Sequence, residues 1–178
     1  MTCFTEWGSL HCGRQGKRWG TMGQDWIDIV EATYDLDSDE ETWLNGILDA
    51  ARPTLDQGLG AAALLYDASS PQGFVANRFS LRWAPEGISR GRCMQLFAKP
   101  ERGPVPAVET FGRYACGLVS ETYGQTFPAV LDRCKQMGIK DMMAINGLDS
   151  SLHGCFIAGH LPSQPRLSRY SKKMWTRI

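Results

Sequence analysis

The sequence predicts an α+β fold in which one central antiparallel sheet is packed by helices from the N- and C-terminal ends. Three observations carry that expectation. Residues 141–147 and 152–161 are apolar runs around Leu148-Asp149-Ser150-Ser151, the form of a β-hairpin. Residues 59–69 and 74–83 make a second such pair around a turn-forming Asp-Ala-Ser-Ser-Pro stretch. Helical periodicity opens near Asp25 and returns over 167–178.

The elements follow in order. In DWIDIVEATYDL, Trp26, Ile29, Val30 and Tyr34 share one helical face, and Asp25 suits an N-cap or a first-turn acid. A short acidic link then leads to a second helix. Ser38 with Glu41 fits the capping box, and Glu40 and Glu41 suit the first turn. Trp43, Leu44, Ile47, Leu48 and Ala51 form its stripe, with Pro53 and Gly58 bracketing a frayed end. The first hairpin comes next, its second strand alternating Phe74, Ala76 and Arg78 with Val75, Asn77 and Phe79. Residues 84–125 are less periodic. Ser89–Ala98 fits a helix carrying Cys93, Met94, Leu96 and Phe97, while VETFGRYACGLVSETYG fits helix or strand. FPAVLDRCKQMG reads as a helix with Val130, Leu131 and Cys134 inward, Pro128 in its first turn and Gly138 as its stop. After the second hairpin, Ser168 suits the N-cap of a basic helix carrying Leu167, Tyr170, Met174 and Trp175. The arrangement implies two layers, helices over one sheet.

Composition bounds the function. The chain has 178 residues, enough for one domain, here expected over 24–178 with 1–23 a disordered leader and Met22 a candidate translation start. Lys plus Arg and Asp plus Glu number 19 each, so no basic excess prepares the chain to bind nucleic acid directly. Basic residues gather at the ends, as Arg14, Lys17 and Arg18 and as Arg166, Arg169, Lys172, Lys173 and Arg177, the pattern of solvated faces or tails. No apolar run is long enough to span a membrane. The six cysteines, at 3, 12, 93, 116, 134 and 155, include no C-x-x-C pair and read as reduced thiols of a cytoplasmic protein.

Motifs that carry chemistry are scarce. No nucleophile elbow, phosphate loop, zinc-protease or dinucleotide fingerprint occurs, so no catalytic residue, metal ligand or cofactor is assigned. His153 and His160 lie seven apart in one strand and so on opposite faces. His153 and Cys155 share a face and could ligate a transition ion or haem, or act as a nucleophile pair near Asp149, though each has a plainer reading as turn and core. Adjacent Glu40 and Glu41 point apart and fit capping better than a carboxylate dyad. Arg78, Arg82 and Arg92 are candidates for a pocket rim or for plain exposure.

The segment DWIDIVEATYDLDSDEETWLNGILDAARPTLDQGLGAAALLYDAS resembles the opening of the amino-terminal, GAF-like regions of some bacterial LuxR-type helix-turn-helix regulators. GIKDMMAINGLDSSLHGCFIAGHLP followed by RLSRYSKKMWTRI looks like their closing hairpin and exit helix. The resemblance covers roughly 24–178 and is strongest at its two ends. It implies a GAF/PAS-like sensor fold that receives a small molecule or a partner signal. The carboxyl-terminal helix-turn-helix of those regulators is not in the sequence, so direct base reading by this chain is not expected. Such a fold would line a pocket with apolar groups and a few polar ones. Tyr66, Phe79, Phe97, Phe111, Tyr114, Met143, His153 and Cys155 are the candidates. Three readings stand at this point. One is a sensor that dimerises through its terminal helices. The others are an interaction module with a self-filled core and a small haem, metal or enzyme protein using His153 and Cys155.

Overall fold

The computed structural model describes residues 24–69, 75–96, 116–122 and 128–164. Within them the chain runs α1 (Gln24–Thr33), α2 (Glu40–Leu55), β1 (Ala61–Asp67), β2 (Val75–Arg82), α3 (Arg90–Met94), β3 (Cys116–Leu118), α4 (Val119–Thr122), α5 (Pro128–Gln136), β4 (Asp141–Leu148) and β5 (His153–Leu161). The expected leader over 1–23, the exit helix over 167–178, and Phe97, Phe111 and Tyr114 lie outside the described residues.

Both expected hairpins form, and they join into one five-stranded antiparallel sheet of order β2-β1-β5-β4-β3. β1 and β5 are the inner strands that marry the two hairpins, Ala61 opposite Gly159 and Asp67 opposite His153. β1 shows why the sheet is not covered on one side only. Its sequence AAALLYD is buried at successive positions rather than at alternate ones. Successive side chains point to opposite faces, so both faces need cover.

Each face has its own helices. Ala62, Leu64 and Tyr66 pack with Ile88, Cys93 and Leu96 from the α3 region and with Cys134, Met137 and Ile139 from the α5 region. Ala61 and Ala63 pack instead with Leu44 and Leu48 of α2, and Met143 and Leu161 pack with Ile29, Ala51 and Leu55. The expected two-layer arrangement is therefore corrected to three layers, with the sheet in the middle.

α2 keeps the expected stripe: Leu44, Ile47, Leu48, Ala51 and Leu55 are buried. It runs through Pro53 rather than fraying there. The cap differs from expectation. Asp39, not Ser38, accepts the Glu41 and Thr42 N–H groups at 3.0 and 3.1 Å, and the Ser38 hydroxyl turns back to Asp35 at 2.6 Å. A carboxylate one residue later satisfies two free donors of the first turn, which a hydroxyl at 38 cannot reach as well. Below the stripe, α2 clasps edge strand β2 through Glu40–Arg78, Asn45–Ser80 and Asp49–Arg82. α2 also approaches β5 so closely that a Cβ on Gly159 would lie 2.6 Å from the Leu55 carbonyl oxygen.

α1 departs further. Of its expected stripe, Ile29 is buried, while Val30 and Tyr34 are exposed. The helix leans on α2 along one edge, where the Trp43 indole N–H donates to the Thr33 carbonyl at 3.1 Å. On β4, the buried Asp141 carboxylate accepts the N–H groups of Met142 and Ser120 at 2.8 and 3.1 Å and the Ser120 hydroxyl, tying α4 to β4. Gly138, at φ +79°, ends α5 as expected.

Candidate ligand site at the Tyr66 end of the sheet

The site is built where the last residues of β1 meet the second hairpin. Tyr66 faces the α3 and α5 side and is fully buried. Its cross-strand partner is Gly154, and the phenol ring lies where a side chain would be. A Cβ at 154 would stand 2.2 Å from the ring Cζ. Lying over that gap, the ring spans β5 and its hydroxyl donates to Asn146 Oδ1 on β4 at 2.8 Å. Burial pushes the phenol up to about 12, against the opposing pull of the Asn146 bond. The pair is thus neutral and polar inside an apolar layer that includes Phe79, Leu64, Phe156 and Ala144.

At the same end of the sheet lies an exposed polar group whose Asp67 and His153 side chains, by strand alternation, belong to the opposite, α2-facing side. Asp67 follows Tyr66 and stands opposite His153, whose Nε2 is 4.0 Å from Asp67 Oδ2. His153 Nδ1 is 3.0 Å from the Ser151 oxygen, and the Ser151 hydroxyl donates to Asp149 at 2.8 Å. Asp149 also accepts the N–H groups of Ser151 and His153, both at 2.9 Å. The Ser151 hydroxyl and the His153 N–H hold the Asp149 carboxyl below its ordinary range, and the Ser69 hydroxyl and N–H do the same for Asp67. Leu152 completes the turn at φ 68°, a left-handed conformation unusual for a branched side chain. Ser, His and Asp meet here, but the hydroxyl's proton is engaged by the Asp149 carboxylate. That geometry fixes a hairpin turn rather than activating a nucleophile.

The sheet divides the described candidates. Tyr66 and Phe79 are on the α3 and α5 face, whereas Met143 and Cys155 are on the α2 face. His153 sits at the exposed rim. One pocket does not hold all five. His153 and Cys155 do share a face, but Cys155 packs beside the Leu44 and Leu48 cluster and burial pushes its thiol up to about 12. A protonated thiol is a poor nucleophile and a poor metal ligand. Among the described residues, no three His, Cys, Asp or Glu side chains gather as a metal set.

Sequence reading missed Asn146 and Gly154. The signal was present: Asn146 stands two and four residues from the inward Ala144 and Met142, so strand periodicity points its amide into the core. The three arginines flagged as rim candidates have structural partners. Arg78 and Arg82 pair with Glu40 and Asp49, and Arg82 and Arg52 flank the Trp83 ring at 5.5 and 4.6 Å. Arg92 donates to Gln136 O at the end of α5, while Arg133 donates to Gln95 O at the end of α3. The two helices therefore cap each other's carbonyls. The cleft between them, lined by Arg92, Gln95, Arg133, Gln136 and Met137, has a volume of about 30 Å³, room for little more than water.

No helix among the described residues is long and apolar enough to cross a membrane. Compared with known families and curated proteins, the sequence matches no family model and no curated sequence.

Proposed function

We propose that this chain is the signal-sensing domain of a bacterial transcription regulator, a GAF/PAS-like module of the cytoplasm that is not catalytic and does not read DNA itself. The sequence resemblance supplies the regulatory context. An antiparallel five-stranded sheet with helices on both faces is compatible with it. The observation that carries the reading is the Tyr66–Asn146 pair, a neutral donor and acceptor buried on an aromatic face. Ligand sites combine these features: apolar walls with a few fixed polar groups that set orientation.

The ligand class follows from that chemistry. A small amphipathic molecule would lay its apolar body against the Phe79 and Phe156 face. One neutral polar group on it would take over a hydrogen bond from Tyr66 or Asn146, because burying that group unpaired costs about 1–3 kcal/mol.

Thermal shift across a panel of neutral amphipathic metabolites, followed by calorimetry, tests the reading. A hit should stabilise the native chain and lose most of that effect in Tyr66→Phe and Asn146→Ala. If every hit binds both variants as tightly as the native chain, the site is elsewhere. A second reading, an interaction module whose core is filled by its own side chains, is favoured by the fact that Tyr66 and Asn146 already satisfy each other. Under that reading no compound in the panel shifts the melting temperature, and native mass spectrometry finds no co-purified small molecule.

A further inference from the structure

A four-residue pattern, Arg-Cys-x-Gln, occurs at 92–95 and again at 133–136. The first closes α3 and the second closes α5. Cys93 and Cys134 are buried in one core cluster, which pins the two helix ends side by side. The arginine of each copy then donates to the glutamine carbonyl of the other, Arg92 Nη2 at 3.2 Å and Arg133 Nη1 at 2.7 Å. Arg92 Nη1 is held as well, on the Gly87 carbonyl at 2.8 Å. Both guanidiniums are therefore fixed at one cleft, with Gln95, Gln136 and Met137 as its other walls.

A carbonyl accepts a hydrogen bond but brings no net charge. Arg52, Arg78 and Arg82 each face a carboxylate, whereas Arg92 and Arg133 form no ion pair among the described residues. No acidic side chain lines the cleft, and Asp132, next to Arg133, is engaged by Lys135 at 3.1 Å. Two full positive charges thus share one small opening, where like charges repel. They also keep donors to spare. Of the five N–H donors on a guanidinium, Arg92 commits two and Arg133 one, leaving three and four. We propose that this cleft binds a phosphate group, either inorganic phosphate or the monoester of a small phosphorylated metabolite. Such a group carries nearly two negative charges at neutral pH, which match the two guanidiniums, whereas one carboxylate would neutralise half of them. Its oxygens accept the paired N–H groups of a guanidinium fork. With a volume of about 30 Å³, the cleft seats those oxygens and leaves the rest of the ligand in solvent. Because the carbonyl bonds fix both forks beforehand, little freedom is lost when they engage the ligand. The inference is independent of the Tyr66–Asn146 reading.

Amide NMR on the full chain tests it, with inorganic phosphate, glycerol 3-phosphate and acetate titrated in turn and ionic strength held constant with chloride. Phosphate should move the amides of residues 92–96 and 133–137 along saturating curves, and acetate should bind about tenfold or more weakly. Tighter binding of glycerol 3-phosphate identifies a monoester as the ligand, and equal or weaker binding identifies phosphate itself. Replacing the arginines would strip the helix ends of their caps, so the charge is altered at the glutamines instead. Gln95→Glu with Gln136→Glu leaves the backbone carbonyls in place and changes two exposed side chains, so the variant should melt like the native chain. It should bind phosphate about tenfold or more weakly, because its own carboxylates occupy the forks. Gln136→Glu alone should act in the same direction should the pair disturb the fold. Gln95→Ala with Gln136→Ala should retain binding, since both guanidiniums remain. Shifts under phosphate that match those under chloride overturn the proposal, as do saturating shifts confined to other parts of the chain. So do acetate binding as tightly as phosphate and a folded Glu variant that keeps the native affinity.

Discussion

At Gly154 the absence of one carbon decides where Tyr66 lies. Any other residue would occupy the space of the phenol ring and turn the hydroxyl away from Asn146. Gly60 plays a similar part at the other end of β1, where φ is +74° and a Cβ would stand 2.3 Å from the Arg82 carbonyl oxygen. His160, buried on β5, tests a different residue-scale effect. Its Nδ1 lies 3.1 Å from the Leu59 carbonyl oxygen. Burial pushes its pKa below the ordinary 6.5, opposed by that carbonyl and by the Asp56 carboxylate. The unfolded imidazole therefore takes a proton at a higher pH than the folded one. Stability is fully present above the unfolded pKa and falls as pH drops from about 6.5 toward the lower folded value. Urea midpoints measured at about pH 7.5 and about pH 5 should differ more in the native chain than in His160→Gln. An equal drop in both would show that other groups set the acid limb.

At the scale of elements, legibility followed periodicity. The hairpins could be read because apolar runs of strand length bracket turn residues. The α2 stripe could be read because Leu44, Ile47, Leu48 and Ala51 keep helical spacing. Two things could not be read locally. Whether β1 is covered on one face or two depends on helices far along the chain. Which part of the α1 stripe is buried depends on how that helix leans. Both are settled by tertiary packing, to which a local pattern is blind. The Tyr66 site was half legible for the same reason. Tyr66 and Phe79 were named, but the partner Asn146 is 80 residues away and becomes a partner only across β5. The lean of α1 gives a prediction at this scale. Its carboxyl end is held by the indole N–H of Trp43 on Thr33, a bond joining two helices that otherwise meet along one edge. Trp43→Phe keeps an aromatic ring and removes the donor. It should cost about 1 kcal/mol, the net worth of one hydrogen bond. Amide exchange should quicken in α1 before it does in the strands. Unchanged exchange over 24–33 would mean that Ile29 packing alone seats the helix.

For the whole molecule, the question is whether two cores on opposite faces of one sheet behave as two units or as one. The α2 core contains Leu44, Leu48, Ala61 and Ala63, and the opposite core contains Leu64, Phe79, Met142 and Phe156. They share backbone: Ala63 and Leu64 are neighbours on β1, and β1 and β5 are hydrogen-bonded over seven register pairs. Losing either helical layer would strip one face of the inner strands and expose apolar side chains at alternate positions, so neither core has a stable state without the other. Folding should therefore be cooperative across the sheet. Leu48→Ala on the α2 side should cost about 2–5 kcal/mol, and Phe156→Ala on the far side about 3–5 kcal/mol. Each should move the single urea transition to a lower midpoint with its slope unchanged, because the surface exposed on unfolding is the same. Far-ultraviolet circular dichroism and tryptophan fluorescence should trace the same curve in both variants. Trp43 and Trp83 pack with the α2 core and report on that side once Trp7, Trp19, Trp26 and Trp175 are replaced by Phe, whereas circular dichroism reports on all the layers. A fluorescence transition that splits away from circular dichroism in Leu48→Ala but not in Phe156→Ala would show that α1 and α2 peel off as a unit, leaving the sheet and its other face folded.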